Sequence, residues 1–413
     1  MTSHDFGPTA TDGGSRSADV LLLASCWAVA CIGAIYLIVP SGILPVIRRQ
    51  LVIGPAEAGW VISVPYAAEA LAAVPIGILL DRTKGRRLLA GAVLLVAVAN
   101  VVGAVSGEAG EFNLFLAARF LGGVAYMAIW LSAIQLVSDR FPDRTATAVG
   151  LLTTSGPAGI AIGLSLGPFV ALRSPWYDVF WVIVALLLPA GLLALLATGG
   201  EPNDTARNGR TTRPVAALAT TLRNRNLLLV ALMSFIAYSL FLLFSSWLPS
   251  FFADSYGFSL ARSSLLASVF PAVGVLARSS GGIVSDYVLG GDAKRVLTIS
   301  FAALLPAVCG IAFGPSAGPL VFLLLTAGFF VQTGIGLFFS YGPKFVAEST
   351  EGTAVAVLNT AGLAGSFTGP IIAGVIVGRY GDFTTVFGYA IALALLGLLC
   401  ALLLPSTAER SSG

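Results

Sequence analysis

The chain has 413 residues, 57% of them hydrophobic and 10% charged, with a net charge of +3. A water-soluble chain of this length cannot enclose so much apolar surface, which excludes a soluble globular enzyme and points to the lipid bilayer as solvent. The small net charge follows from how Lys and Arg are shared among the loops and gives no ground for a nucleic-acid partner.

Residues 1–18 are polar, rich in Ser, Thr, Gly and Asp, and predict a disordered tail without a cleavable signal peptide. Twelve apolar stretches follow, near 20–47, 55–80, 86–107, 112–138, 144–171, 176–198, 226–253, 259–288, 294–315, 319–343, 350–378 and 382–405. Each matches the roughly 20 residues a helix needs to cross about 30 Å of hydrocarbon. Barrel strands would alternate over about ten residues, and these runs do not.

The longest break, 199–225, holds Glu201, Asp204, Arg207, Arg210, Arg213, Arg223 and Arg225. It predicts a linker between a six-helix bundle at 19–198 and a second at 226–405, with a short tail at 406–413. An even number of spans puts both termini on one side. Of the 23 Lys and Arg residues, 16 lie on that side, five on the other and two within helices. The positive-inside rule therefore predicts cytoplasmic termini, and a multi-pass protein of the plasma membrane, working as a monomer, is expected.

The four cysteines, Cys26, Cys31, Cys309 and Cys400, lie in apolar runs without metal spacing, so neither a metal site nor a disulfide is expected. The sequence contains no phosphate loop and no His/Cys/carboxylate group with ligand spacing, and the single histidine, His4, lies in the tail. These features argue against an ATP-driven pump, a cofactor, an enzyme and a histidine proton relay.

The chain also repeats itself. Gly77 precedes Asp81 by four residues, and Gly282 precedes Asp286 by four, 205 residues later. Ser41, Leu44 and Pro45 recur as Ser245, Leu248 and Pro249, and Thr147, Ala148, Val149, Leu152 and Gly156 as Thr353, Ala354, Val355, Leu358 and Gly362. Two six-helix halves in the same orientation follow, a parallel repeat about an axis along the membrane normal. The predicted class is an all-α membrane protein with twelve transmembrane helices.

The segment Gly77-Ile78-Leu79-Leu80-Asp81-Arg82-Thr83-Lys84-Gly85-Arg86-Arg87 resembles the loop 2–3 signature of the major facilitator superfamily, although Gly85 follows Asp81 by four residues where the family usually has three. The resemblance implies a gating role for Gly77, Asp81, Arg82, Gly282 and Asp286. Arg278-Ser279-Ser280-Gly281-Gly282 resembles the helix-eight segment of the nitrate/nitrite porters, in which the arginine binds the anion. Trp247-Leu248-Pro249 resembles the cyanate permease-like branch, and Asn359, Thr360, Gly362, Gly365 and Gly369-Pro370 resemble the Asn- and Gly-rich helix eleven of the nitrate branch. One position departs: where the nitrate porters carry a second arginine, two residues before a helix-two proline, this chain has Ala73, and Glu69 stands one turn earlier. A bare nitrate held between two arginines is therefore not expected.

Only Glu69, Arg119 and Arg278 carry charge well inside the spans, and each costs about 2.5 to 3.5 kcal/mol there unless it faces protein or water. Arg278 lies eight residues, about 12 Å, before Asp286, and Glu69 twelve residues, about 18 Å, before Asp81, which places both near the midplane. A planar guanidinium binds carboxylates or oxyanions with two bonds, so Arg278 is the leading anion site; a packing role bonded to backbone carbonyls is the alternative. Glu69 reads either as a proton-coupling carboxylate or as a permanent ion-pair partner. Arg119, which begins Arg119-Phe120-Leu121-Gly122-Gly123, resembles the family's helix-four arginine and is the second cationic candidate; pairing with Glu69 or an outer anchor are its alternatives.

In the family, helices one, four, seven and ten line the cavity. The resemblance thus adds Tyr36, Tyr126, Trp130, Tyr238, Phe241 and Gln332, and Asn359 on helix eleven, as candidate cavity residues. Gly159, Gly163 and Gly167-Pro168 parallel Gly365, Gly369-Pro370 and Gly374 as small faces for close packing. The expected function is a secondary transporter of a small anion, inorganic or monocarboxylate, by proton symport or anion exchange with alternating access. A proton-coupled exporter of hydrophobic or cationic compounds and a non-transporting membrane sensor are the alternatives.

Overall fold

A computed structural model describes residues 12–198, 218, 220–283, 292–314, 316–347 and 350–405. Most of the expected linker, the two tails beyond these limits and Asp286 lie outside the described residues. Twelve helices are long and apolar enough to span a membrane: α1 Ser17–Gly42, α2 Pro55–Arg82, α3 Gly85–Ala109, α4 Phe112–Arg140, α5 Thr147–Ala171, α6 Asp178–Ala197, α7 Arg225–Tyr256, α8 Leu260–Arg278, α9 Ala293–Ala312, α10 Gly318–Phe345, α11 Glu351–Tyr380 and α12 Thr384–Leu403. They match the predicted stretches one for one. Hydrocarbon offers no hydrogen bonds, so each spanning segment must satisfy its own backbone, and a helix does so locally.

Two departures from the predicted stretches have local causes. The first stretch ends at Gly42 rather than running to residue 47, and a separate short helix, Leu44–Leu51, begins with Pro45 in its first turn. α5 is interrupted at Thr154, between Thr145–Thr153 and Ser155–Ala171, and α8 at Val273, between Leu260–Ala272 and Gly274–Ile283. Each interruption lies next to a proline, Pro157 or Pro271, that cannot complete the helical ladder.

The duplication is visible in the packing. A β-carbon on Gly123 would collide with the Pro65 carbonyl, and one on Gly328 with the Phe270 carbonyl. Both members of the second pair lie 205 residues after those of the first. The expected small faces also pack closely: Gly159 and Gly163 lie against α1 at Cys31 and Ile38, and Gly365 and Gly369 against α7 at Phe235 and Ser239, while Gly374 crosses to the first half at Pro55 and Gly59. Lipid tails are as apolar as leucine, so such close approach, rather than apolar burial alone, holds the helices together.

The halves meet along α2 with α11 and along α5 with α8. Several contacts between the halves are resolved at side-chain level toward the side of the membrane opposite the termini. There Trp60 packs edge-on against Phe367, with ring centroids 5.8 Å apart, and Ser264 Oγ donates to the Gly42 carbonyl at 2.9 Å. Toward the terminal side, Gly77, Gly150 and Gly352 have no atom within 4 Å of where a β-carbon would stand.

Candidate substrate site

Arg119 is buried on α4 and turned wholly to the protein. Its Nη1 donates to the Tyr36 carbonyl at 2.6 Å, its Nη2 to the Leu37 carbonyl at 2.5 Å and its Nε to the Val61 carbonyl at 3.1 Å. Two of these acceptors are orphans made by proline. Pro40 in α1 and Pro65 in α2 have no N–H for the carbonyls four residues back, which are those of Tyr36 and Val61. The guanidinium also lies 4.5 Å from the Tyr36 ring centroid, and Tyr36 Oη donates to the carbonyls of Ala118 and Arg119 at 3.1 and 3.2 Å.

Arg119 and Tyr36 were expected to bind substrate. In the structure they join α1, α2 and α4, where proline leaves carbonyls that a multidentate donor can satisfy together. Gln332 is engaged in the same way. Its Nε2 donates to the carbonyls of Phe270, Pro271 and Gly328 at 3.4, 3.3 and 3.4 Å, which fills the break in α8. A β-carbon on Gly274 would collide with that amide.

The other candidates gather where the halves face each other. Glu69, on α2, is only 6% exposed, and its Oε1 has no hydrogen-bond partner among the described residues. The Tyr66 hydroxyl, one turn earlier on the same helix, is equally unpaired. Arg278 is half-buried; its Nε is enclosed without a partner among the described residues, and its guanidinium lies 5.5 Å from the Phe241 ring centroid. Its Nη1 stands 3.6 Å from where a β-carbon on Gly156 would be, so it reaches across to the first half.

Two phenols lie in the field of both charges. Tyr126 of the first half and Tyr238 of the second each interact electrostatically with Glu69 and with Arg278. Glu69 also feels Arg119, but no ion pair joins them among the described residues. At the repeat offset of 205, Arg278 corresponds to Ala73 and Glu69 to Gly274. The charges thus sit one helical turn apart on equivalent helices, and neither has a charged counterpart in the other half.

This arrangement belongs to a recognisable scaffold. The family model for the Major Facilitator Superfamily matches residues 26–350. The chain belongs to the major facilitator superfamily. Among its relatives is the 3-(3-hydroxy-phenyl)propionate transporter of Escherichia coli (strain K12), 25% identical over 375 residues that cover 89% of each chain. The nitrite extrusion protein of Bacillus subtilis (strain 168) is 24% identical over 348 residues, covering 84% of this chain and 85% of that protein. In three dimensions this major facilitator chain resembles a bacterial homolog of the human lysosomal transporter Spinster, solved in an inward-facing and unoccupied conformation. The TM-score is 0.71 at 17% identity, over 96% of this chain and 95% of that one.

Asn359 is half-buried on α11, one turn before Gly362, whose α-carbon faces the Tyr238 ring. Trp130 is half-buried on α4, and Phe241 is buried beneath Arg278. Of the expected gating residues, Gly77 has open space beside it and Asp81 and Arg82 are exposed, while Gly282 lies on the second segment of α8. Sequence reasoning missed Tyr66 and Gly156. Tyr66 carried a signal, since it lies three residues before Glu69 on the same helical face. Gly156 carried none beyond its place in a glycine series.

Proposed function

We propose that this major facilitator protein is a secondary active transporter of a small anion, either a monocarboxylate or an inorganic anion of the nitrite or cyanate kind, with Arg278 as its charge partner. One observation carries the reading: the Arg278 Nε is enclosed and unpaired where the halves meet, beside groups from both. A buried guanidinium nitrogen without a partner is costly unless it works, and the planar fork suits an oxyanion. The relatives named for an arylpropionate and for nitrite fit the same chemistry. Glu69 is the proposed proton site, and symport follows if anion and proton bind together; exchange of one anion for another follows if they do not. The positive-inside count supports cytoplasmic termini.

An exporter of cationic compounds would use Glu69 as the cation's partner. Arg119 lies within electrostatic reach of that carboxylate and weighs against a second cation there. The test is a thermal-shift screen of nitrate, nitrite, cyanate and short carboxylates on wild-type protein and Arg278→Ala, followed by uptake in proteoliposomes. Ligands of the folded state should stabilise the wild type and not the variant. Normal uptake of every tested anion by Arg278→Ala overturns the reading.

A further inference from the structure

Among the described residues, Arg278 and the Glu69–Tyr66 pair carry buried polar atoms without partners, and these are of different kinds. Arg278 Nε is a donor beside a positive charge. Glu69 Oε1 is an acceptor with no donor, and Tyr66 Oη can both give and take a hydrogen bond. A bare anion on Arg278 would leave Glu69 and Tyr66 as they are, two buried groups without partners, each costly in a medium that cannot solvate it.

We propose that the cargo is a hydroxylated monocarboxylate, its carboxylate on Arg278 and its hydroxyl on Glu69 and Tyr66. The proposal rests on the anion reading above and narrows it. A hydroxyl closes both open ends, because its proton goes to Glu69 and its oxygen accepts from Tyr66.

Charge balance selects among the alternatives. Arg278 offers one positive charge with an unpaired Nε, which suits a monoanion. An ammonium in place of the hydroxyl would come close to Arg119, whose charge already reaches Glu69. A second carboxylate would face Glu69 and be repelled.

The experiment titrates matched ligand pairs against the purified full chain, reading dissociation constants by thermal shift or calorimetry. The probes are benzoate with 3- and 4-hydroxybenzoate, butyrate with 3- and 4-hydroxybutyrate, and 4-aminobutyrate and nitrate. In the wild type the best hydroxylated member should bind about tenfold or more tighter than its plain partner. Tyr66→Phe, which removes one oxygen atom, should lower that ratio; Glu69→Ala should bring it near unity while the plain carboxylate still binds. Glu69→Gln, which keeps an acceptor, should retain part of it. Equal binding within every pair, or a ratio unchanged in Tyr66→Phe and Glu69→Ala, overturns the proposal, and should Glu69→Ala not fold, Tyr66→Phe decides alone. Tighter binding of 4-aminobutyrate than of 4-hydroxybutyrate also overturns it. Carboxylate binding that vanishes in Arg278→Ala without any hydroxyl preference leaves the anion reading standing and removes only this one. Binding untouched in Arg278→Ala, or no binding of any carboxylate, removes both.

Discussion

Arg278 and Gly156 belong to opposite halves of the protein, yet the guanidinium of one occupies the space that the missing side chain of the other leaves open. The separation of 3.6 Å between Nη1 and a β-carbon built on Gly156 is ordinary van der Waals contact. An alanine therefore fits, and a leucine does not.

Gly156→Ala is expected to bind anions like the wild type. Gly156→Leu is expected to displace the guanidinium and weaken anion binding about tenfold, the effect of a misplaced charge-assisted hydrogen bond. Ligand titration of both variants checks this, with unchanged thermal midpoints showing that the fold is intact. Equal affinity in Gly156→Leu would show that Arg278 does not need that space.

Glu69→Gln keeps the shape of the side chain and removes its proton exchange. In proteoliposomes, an inward proton gradient, acid outside, should drive concentrative uptake of the anion by the wild type and not by the variant. Counterflow, which needs no net proton movement, should persist in both. The groups around this carboxylate are Tyr66, Tyr126, Tyr238 and Arg119, and none of them supplies a second carboxylate. Uptake by Glu69→Gln that still follows the proton gradient would remove Glu69 from coupling.

Arg119→Leu removes the donors on which the Tyr36 and Val61 carbonyls depend. Unsatisfied buried acceptors cost on the order of 1–3 kcal/mol, so the variant should melt at a lower temperature. Whatever fraction folds should bind anions with unchanged affinity, because the guanidinium faces α1 and α2. Loss of affinity at full stability would instead restore Arg119 to the site.

Gly274 and Gln332 should behave as a coupled pair. Gly274→Ala forces a β-carbon into the Gln332 amide and should destabilise the protein strongly. Gln332→Ala alone frees the carbonyls of Phe270 and Pro271, with a loss on the order of 1–3 kcal/mol. The double variant should be more stable than the sum of the two losses predicts, since the clash disappears with the amide. Simple additivity, measured by thermal unfolding, would mean that the two residues do not share one space.

The sequence by itself determined the twelve spans, the two equivalent halves and the family. It could do so because hydrocarbon makes each span satisfy its own backbone, and that demand is written as contiguous apolar runs that a duplication then repeats. It also located Glu69, Arg119 and Arg278, the three charges deep enough to require a reason. It could not rank the two arginines, because a guanidinium at membrane depth looks the same whether it binds cargo or backbone. Tertiary structure separated them. Pro40 and Pro65, distant from Arg119 along the chain, leave open the carbonyls that Arg119 fills, whereas Arg278 meets Phe241, Gly156 and the two shared tyrosines and keeps its Nε unpaired. Hydrogen-bond satisfaction is a property of neighbours in space, and only the folded arrangement of helices decided which guanidinium keeps a nitrogen without a partner among the described residues.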